Sequence, residues 1–304
     1  MENQTIQNNT IQERAAPSAA ADGAAIEIKH ESTLYAEPLA YVGNFAVTNA
    51  LTTSVAAVVI IAVISLALRA RLREIPRGLQ NFFEALLEGA LSLADQVTND
   101  RKISEKVFPL AFAIFLFVLV NNWLGLLPLG GFGIVERGEH GLAFIPFLRS
   151  GTADINATAA LAVMSVLGAN LFGIFSIGIW KTFNKYVNLK ALGETFTRVG
   201  KEPLVLIVAP VTFFVGLLEL VGELAKIASL SFRLFGNIFA GEVLLAAMSA
   251  ILPYALPIPF LFLEIFVGVI QALIFSILVL VYFTIAARDH DQHSEEHGHN
   301  TAHA

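Results

Sequence analysis

Hydrophobic positions along the chain form five long apolar stretches that are separated by polar segments. A run of about 20 apolar residues is long enough to cross a bilayer as a helix. The pattern therefore predicts an all-α integral membrane protein with five membrane-embedded helices. The stretches cover residues 45–68, 108–127, 157–180, 203–252 and 259–287.

The fourth stretch is too long for an ordinary span. Fifty residues of helix would be about 75 Å long, whereas the hydrocarbon layer is about 30 Å thick. No proline or glycine pair interrupts residues 211–252. Ordinary tilts reach only about 40°, so we expect the last two helices to form a long, strongly tilted hairpin. We expect this hairpin to be shielded from lipid by another protein.

Residues 76–97 carry an amphipathic pattern instead. Apolar side chains recur at helical spacing on one side, and the other side holds Gln80, Glu84, Glu88 and Asp95. This pattern favours an amphipathic helix on the cytoplasmic membrane surface. A soluble helix that packs on a partner is the alternative.

Basic residues in the loops predict the orientation, because cytoplasmic loops are enriched in Lys and Arg. Seven lie in 69–107 and five in 181–202, whereas the loop after the second stretch holds only Arg137 and Arg149. We therefore expect an outside N-terminus and a cytoplasmic C-terminus. The chain divides into a polar extension (1–44), a membrane domain (45–287) and a His-rich cytoplasmic tail (288–304).

Composition removes several kinds of chemistry. Hydrophobic residues make up 56% of the chain and charged residues 14%, which is typical of an integral membrane protein. We expect no nucleic-acid partner. The chain has no cysteine, so disulfides and thiolate-bound metals are excluded. No phosphate-binding loop, nucleophile–base set or dinucleotide motif is present, and the irregular histidines of the tail favour a disordered segment over a metal site. We expect no cofactor.

The most informative residue is Arg233, a permanent cation within an apolar stretch. Placing it in hydrocarbon costs about 2.5–3.5 kcal/mol on insertion scales, so a partner or a function must offset that cost. On a helix, Arg233 shares one polar stripe about 80° wide with four other side chains, which are Glu219, Glu223, Lys226 and Asn237. No acid lies three or four residues from Arg233, so its counter-charge must come from another segment or chain. A static ion pair with Glu264 or Asp154 is the alternative.

Two further sets of polar residues accompany this stripe. Glu264 and Gln271 share a face of the last helix, and a hairpin would bring Glu264 near Glu242 and Gln271 near Arg233. Two neighbouring carboxyls do not ionise equally easily, so such a pair is suited to holding and passing a proton. Asp154 and Asn156 open the third stretch, either as a helix cap or as a hydrophilic channel mouth.

The segment from Ser231 to Glu242 contains the motif Arg-Leu-Phe-Gly-Asn-x-Phe-Ala-Gly-Glu. It strongly resembles subunit a of the F-type ATP synthase membrane sector. The start of the third stretch, around Asp154, and the last helix, around Gln271, are similar to the same family. The similarity covers residues 40–287.

This resemblance implies a stator subunit with two half-channels that conduct protons to and from carboxylates on a ring of c subunits. Arg233 matches the essential arginine that separates the half-channels. By the same match, the outer pathway or its junction would include Glu242, Glu264, Asn237 and Gln271, and the cytoplasmic exit would include Glu219 and Ser229. The implied setting is a bacterial plasma membrane, beside b-type peripheral stalk subunits, with the subunit itself non-catalytic.

The chain departs from the family pattern at several positions. Relatives often place a histidine in the pair that is equivalent to Glu242 and Glu264, and they often have an acid at the position of Gly125. Two other functions remain alternatives: a stand-alone ion channel or secondary transporter, and a structural scaffold for a membrane complex.

Overall fold

In the part of the chain that the structure describes, six α-helices and two short strand pairs make up the fold. The computed structural model describes residues 35–70, 78–127, 133–138, 141–177, 205–253 and 255–300. The helices are α1 (Asn49–Arg69), α2 (Leu79–Thr98), α3 (Arg101–Leu126), α4 (Ile155–Ile177), α5 (Val205–Ile251) and α6 (Pro257–Asn300). All but α2 contain a segment that is long and apolar enough to cross a membrane. The prediction of an all-α membrane protein with five such helices is therefore confirmed.

Polar caps explain where several helices begin. The Thr48 hydroxyl accepts the Leu51 N–H at 3.2 Å at the start of α1. The Asp100 carboxylate accepts the Lys102 N–H at 2.8 Å at the start of α3. Each cap satisfies one of the backbone donors that a first helical turn leaves free. The cap at Asp100 starts α3 seven residues before the apolar stretch begins at position 108.

The structure contains two strand pairs that the all-α prediction did not include. Strands β1 (Pro38–Val42) and β2 (Phe45–Thr48) pair antiparallel, and so do β3 (Gly133–Gly138) and β4 (Gly141–Pro146). The first pair crosses the expected boundary at residue 45, where Gly43 and Asn44 separate two short apolar runs, a pattern that suits a hairpin better than a helix. Gly43 has φ +66°, which a glycine adopts without strain.

The His-rich segment also differs from expectation. We predicted a disordered tail, whereas α6 continues as a helix to Asn300. Propagating an existing helix costs far less than nucleating one, and no proline lies between residues 288 and 300 to stop it. The histidine side chains lie outside the described part of the structure, as do residues 1–34 and the basic loop 181–202.

The last helix is central to the bundle. It packs against α2, α3, α4 and α5, while α1 lies at one edge against α3. The buried apolar residues are mostly alanine and valine; among them are Ala162, Val166 and Ala272. Small residues allow close helix approach where lipid provides little hydrophobic driving force.

The two long helices have the lengths that the sequence indicates. Helix α5 has 47 residues and runs without a break for about 70 Å. It is joined to α6 through residues 252–256 and packs against it. Their strong tilt in the membrane stays a prediction. The amphipathic segment forms α2, which packs on α3 and α6, and its position at the membrane surface also stays a prediction.

Gly125 provides the first testable consequence of this packing. A Cβ at Gly125 would lie 2.5 Å from the Ser150 Cβ and 2.7 Å from the Ser150 backbone nitrogen. We expect Gly125→Ala to destabilise the protein by about 1–3 kcal/mol, the usual cost of overpacking. Gly89→Ala is the matched control, because no atom lies within 4 Å of its added Cβ. Thermal unfolding in detergent checks this: equal midpoints for the two variants would contradict the close approach.

Candidate functional site

Helix α5 presents Arg233 at the edge of an uncovered face. Arg233, Asn237 and Ser229 are exposed, whereas Leu230 and Leu234, one turn apart on the adjoining side, are each 1% exposed. The uncovered face also carries bulky apolar side chains, including Leu218 at 67% and Phe232 at 61% exposed. A cation beside uncovered apolar residues indicates that another polypeptide or lipid covers this face.

Within the described part of the chain, Arg233 makes no ion pair and no hydrogen bond. The alternative of a static pair with Glu264 or Asp154 is therefore not observed there. The guanidinium remains available to an acid outside this chain.

The first half of α5 holds an ion pair on the same stripe. Lys226 Nζ lies 2.7 Å from Glu223 Oε1, and Asn170 Nδ2 of α4 donates to Glu223 Oε2 at 3.3 Å. The Lys226 ammonium also lies 5.3 Å from the centre of the Tyr282 ring on α6. This pair connects three helices, and Glu219 lies partly buried one turn before it.

In the second half of α5, the Glu264 side chain of α6 lies against the α5 backbone. Glu264 is 6% exposed, and a Cβ at Gly241 would lie 2.1 Å from its carboxyl carbon. Gly241 therefore makes room for this carboxyl group. The hairpin thus places Glu264 against the residue that precedes Glu242.

Glu242 itself is paired with a cation that sequence reasoning missed. Arg149 Nε lies 3.0 Å from Glu242 Oε1, and Arg149 Nη1 donates to the Tyr35 carbonyl at 2.9 Å. The Arg149 side chain is only 4% exposed. In the sequence, Arg149 is an isolated arginine in a loop. The feature that could have indicated its role is its position five residues before Asp154.

A set of buried polar groups surrounds the loop that contains Arg149. Thr152 Oγ1 donates to Asn122 Oδ1 at 2.5 Å, and Asn122 Nδ2 donates to the Gly268 carbonyl at 3.1 Å. These bonds join the 3-10 turn Gly151–Ala153 to α3 and α6. Gln271 lies one turn further along α6 and is 7% exposed. Among the described residues, no hydrogen bond joins Gln271 to Arg233.

Asp154 acts as the cap at the start of α4. Its carboxylate accepts the Asn156 N–H at 3.1 Å, and its carbonyl accepts the Thr158 N–H at 3.1 Å. Asp154 is buried and Asn156 is exposed. The capping interpretation therefore has direct geometric support, while a role at a channel mouth stays a prediction.

The described side chains offer little for other kinds of chemistry. No group of three His, Asp or Glu residues among them is placed to hold a metal ion. A cavity of about 330 Å³ between α2, α3 and α6 is lined by apolar residues such as Leu86, Phe112 and Leu273, with Ser276 as its polar member. The charged groups instead follow α5, which defines a polytopic membrane protein with an ionisable stripe.

Comparison with known proteins identifies the family. The family model for the ATP synthase A chain matches residues 50–284. ATP synthase subunit a of Mycobacterium tuberculosis is 35% identical over 250 residues, covering 80% of this chain and 88% of that protein. ATP synthase subunit a of Gloeobacter violaceus is 34% identical over 270 residues, covering 89% and 94%.

The chain therefore belongs to the ATP synthase A chain family, the proton-translocating stator subunits of F-type ATP synthases. This confirms the family predicted from the motif around Arg233. Five membrane-spanning helices and bacterial relatives make it a multi-pass bacterial membrane protein.

The two interpretations of Asp154 are separable by mutation. Asp154→Ala removes the cap and is expected to cost about 1 kcal/mol, whereas asparagine caps helices as well as aspartate does. We expect Asp154→Asn to keep the wild-type midpoint of thermal unfolding. Proton pumping by the assembled complex is then measured for Asp154→Asn. Normal pumping by Asp154→Asn would limit Asp154 to a capping role. Reduced pumping with an unchanged midpoint of thermal unfolding would assign Asp154 to the proton pathway.

Proposed function

We propose that this chain forms two aqueous half-channels beside a ring of c subunits and that Arg233 separates them. The observation that carries this proposal is the exposed guanidinium without a partner in the described part of the chain. A membrane-embedded arginine is costly in isolation. A carboxylate on a moving partner would compensate its charge once for each ring subunit that passes.

A fixed guanidinium serves this function in two ways. It favours the ionised form of a carboxylate that comes to lie opposite it, which promotes release of the bound proton. It also repels a proton that would pass directly from one half-channel to the other. Such a leak would dissipate about 2.3 kcal/mol per charge for each 100 mV of membrane potential.

The polar groups of α5 and α6 suggest how the two pathways divide. Glu242, Glu264, Asn237 and Gln271 would serve the outer pathway and its junction with the ring. Glu219 and Ser229 lie on the opposite side of Arg233 along α5 and would serve the cytoplasmic exit. This division follows the predicted orientation, in which the N-terminus is outside and the C-terminus is cytoplasmic.

The length of α5 supports a strongly tilted hairpin around the ring. Its apolar part, Phe214–Ile251, has 38 residues and would be about 57 Å long. Even at a 40° tilt it would extend about 44 Å along the membrane normal, more than the hydrocarbon thickness of about 30 Å. A larger tilt from the membrane normal would keep this segment within the membrane. It would also lay the face that carries Arg233 along a curved partner.

The remaining assignments concern the assembly. We propose that the subunit is itself non-catalytic and that ATP is made elsewhere in the complex. Its partners would be the c ring, on the uncovered face of α5, and b-type stalk subunits that hold it against rotation. Other uncovered faces, such as that of α1 with Val59 at 54% exposed, are apolar and suit lipid or stalk helices.

Arg233 provides the central prediction. Arg233→Gln is expected to abolish proton-driven ATP synthesis while the complex still assembles, because the side chain is exposed and its loss opens no hole in the core. ATP synthesis in energised membrane vesicles and subunit content on native gels are the measurements. Arg101→Gln is the matched control, since Arg101 is 57% exposed and pairs with Glu105 at 2.9 Å outside this stripe.

Two results would overturn the proposal. One is normal synthesis in Arg233→Gln vesicles. The other is proton conduction by the purified chain alone in liposomes at the rate of the whole complex, which would favour a stand-alone channel or transporter.

The face that meets the ring is testable by cross-linking, because the natural chain contains no cysteine. We expect Asn237→Cys, on the exposed side of α5, to form a disulfide with a cysteine introduced into the outer helix of a c subunit. Val59→Cys on α1 is expected to form none. Electrophoresis of the oxidised membranes separates the cross-linked species, and equal yields from both positions would contradict the assigned face.

A further inference from the structure

The ion pair between Arg149 and Glu242 is a buried contact for which the proposed function so far provides no role. Arg149 Nε lies 3.0 Å from one Glu242 oxygen and donates to the other at 3.1 Å. Its Nη1 is held by the Tyr35 carbonyl at 2.9 Å. The Arg149 guanidinium is thus held at both Nε and Nη1. The exposed fraction is only 4% for the Arg149 side chain and 23% for the Glu242 side chain.

Glu264 of α6 lies in a different environment. It is 6% exposed, and its carboxyl group rests on Gly241, the residue that precedes Glu242. In the described part of the chain its side chain has no ion pair and no hydrogen bond. A buried carboxylate without a counter-charge is costly, whereas one held by a guanidinium stays charged because arginine does not release its proton.

The elements packed on α5 present few other charges to Glu242. Helix α4 and the 3-10 turn contribute no charged residue, and α6 contributes Glu264 within residues 257–286. Asp154 follows the turn, and its carboxylate is engaged by the Asn156 N–H. Tyr282 of α6 lies beside Lys226 instead. Arg149 is therefore the basic side chain that the described elements packed on α5 and their connecting loops present to Glu242.

We propose that Arg149 is a positioning residue for proton translocation: it holds Glu242 in the charged form and leaves Glu264 as the carboxyl that takes up and releases the proton. The inference rests on the proposed function of the outer pathway. With Arg149 present, Glu264 lies beside an ion pair of zero net charge. Without it, Glu264 lies near a carboxylate that has lost this counter-charge, which disfavours a second negative charge nearby.

The experiment uses the whole ATP synthase in inverted membrane vesicles, with ATP-driven proton pumping followed as a function of pH. In Arg149→Gln we expect a slower rate and a profile moved by about one unit toward higher pH, because the Glu242 carboxylate without this guanidinium strengthens proton binding nearby. Arg149→Lys keeps the charge and is expected to retain the wild-type profile. The double variant Arg149→Gln/Glu242→Gln removes both charges and is expected to return the profile to that of wild type.

A purely structural role for Arg149 would give a different set of results. It would slow pumping in all three variants without moving the pH profile, and that outcome would overturn the inference. If Arg149→Gln does not assemble, Arg149→Lys decides: a wild-type rate together with a wild-type profile would support the inference, and slower pumping or a moved profile would overturn it. Glu264→Gln is expected to stop pumping whether or not Arg149 is present, and continued pumping there would also overturn it.

Arg233→Gln in the same vesicles separates this inference from the proposed function. If Arg233→Gln pumps normally, the proposed function fails. If Arg233→Gln is inactive while Arg149→Gln matches wild type in both rate and pH profile, only the role of Arg149 fails.

Discussion

The rest of this molecule is organised around one uncompensated positive charge in an apolar environment. A membrane interior offers no water to a guanidinium, so the surrounding protein must either neutralise Arg233 or leave it facing a charge from elsewhere. The described residues provide no acid for it. Helix α5 instead turns its neighbouring leucines inward against α4 and α6 and leaves Arg233 at the edge of an open face.

The two arginines in this part of the fold show how position determines function. Arg149 is buried and fixed by Glu242 and the Tyr35 carbonyl, so its charge is constant and local. Arg233 is exposed and unpaired within the described chain, so its charge is available to a partner that moves. The guanidinium of Arg149 thus forms a static ion pair within the chain, whereas that of Arg233 can pair with successive acids of a moving partner.

Close packing at two glycines fixes the elements that surround the charged stripe of α5. Gly241 admits the Glu264 carboxyl against the α5 backbone, and Gly125 admits the loop at Ser150 against α3. A larger side chain at position 125 would need the space that Ser150 occupies. The glutamate next to Gly241, Glu242, is paired with the Arg149 guanidinium.

The five apolar helices, the unbroken length of α5 and the family were readable from the residues alone, because membrane thickness and helical periodicity act locally along the chain. The sequence also indicated Arg233, since the absence of an acid within one helical turn is readable from spacing. The pairing of Arg149 with Glu242 was decided only by the tertiary structure, because the two residues are 93 positions apart and no local rule connects them. The strand pair at residues 38–48 and the helical tail were missed for a related reason: turn formation and helix propagation depend on the neighbouring elements that support them.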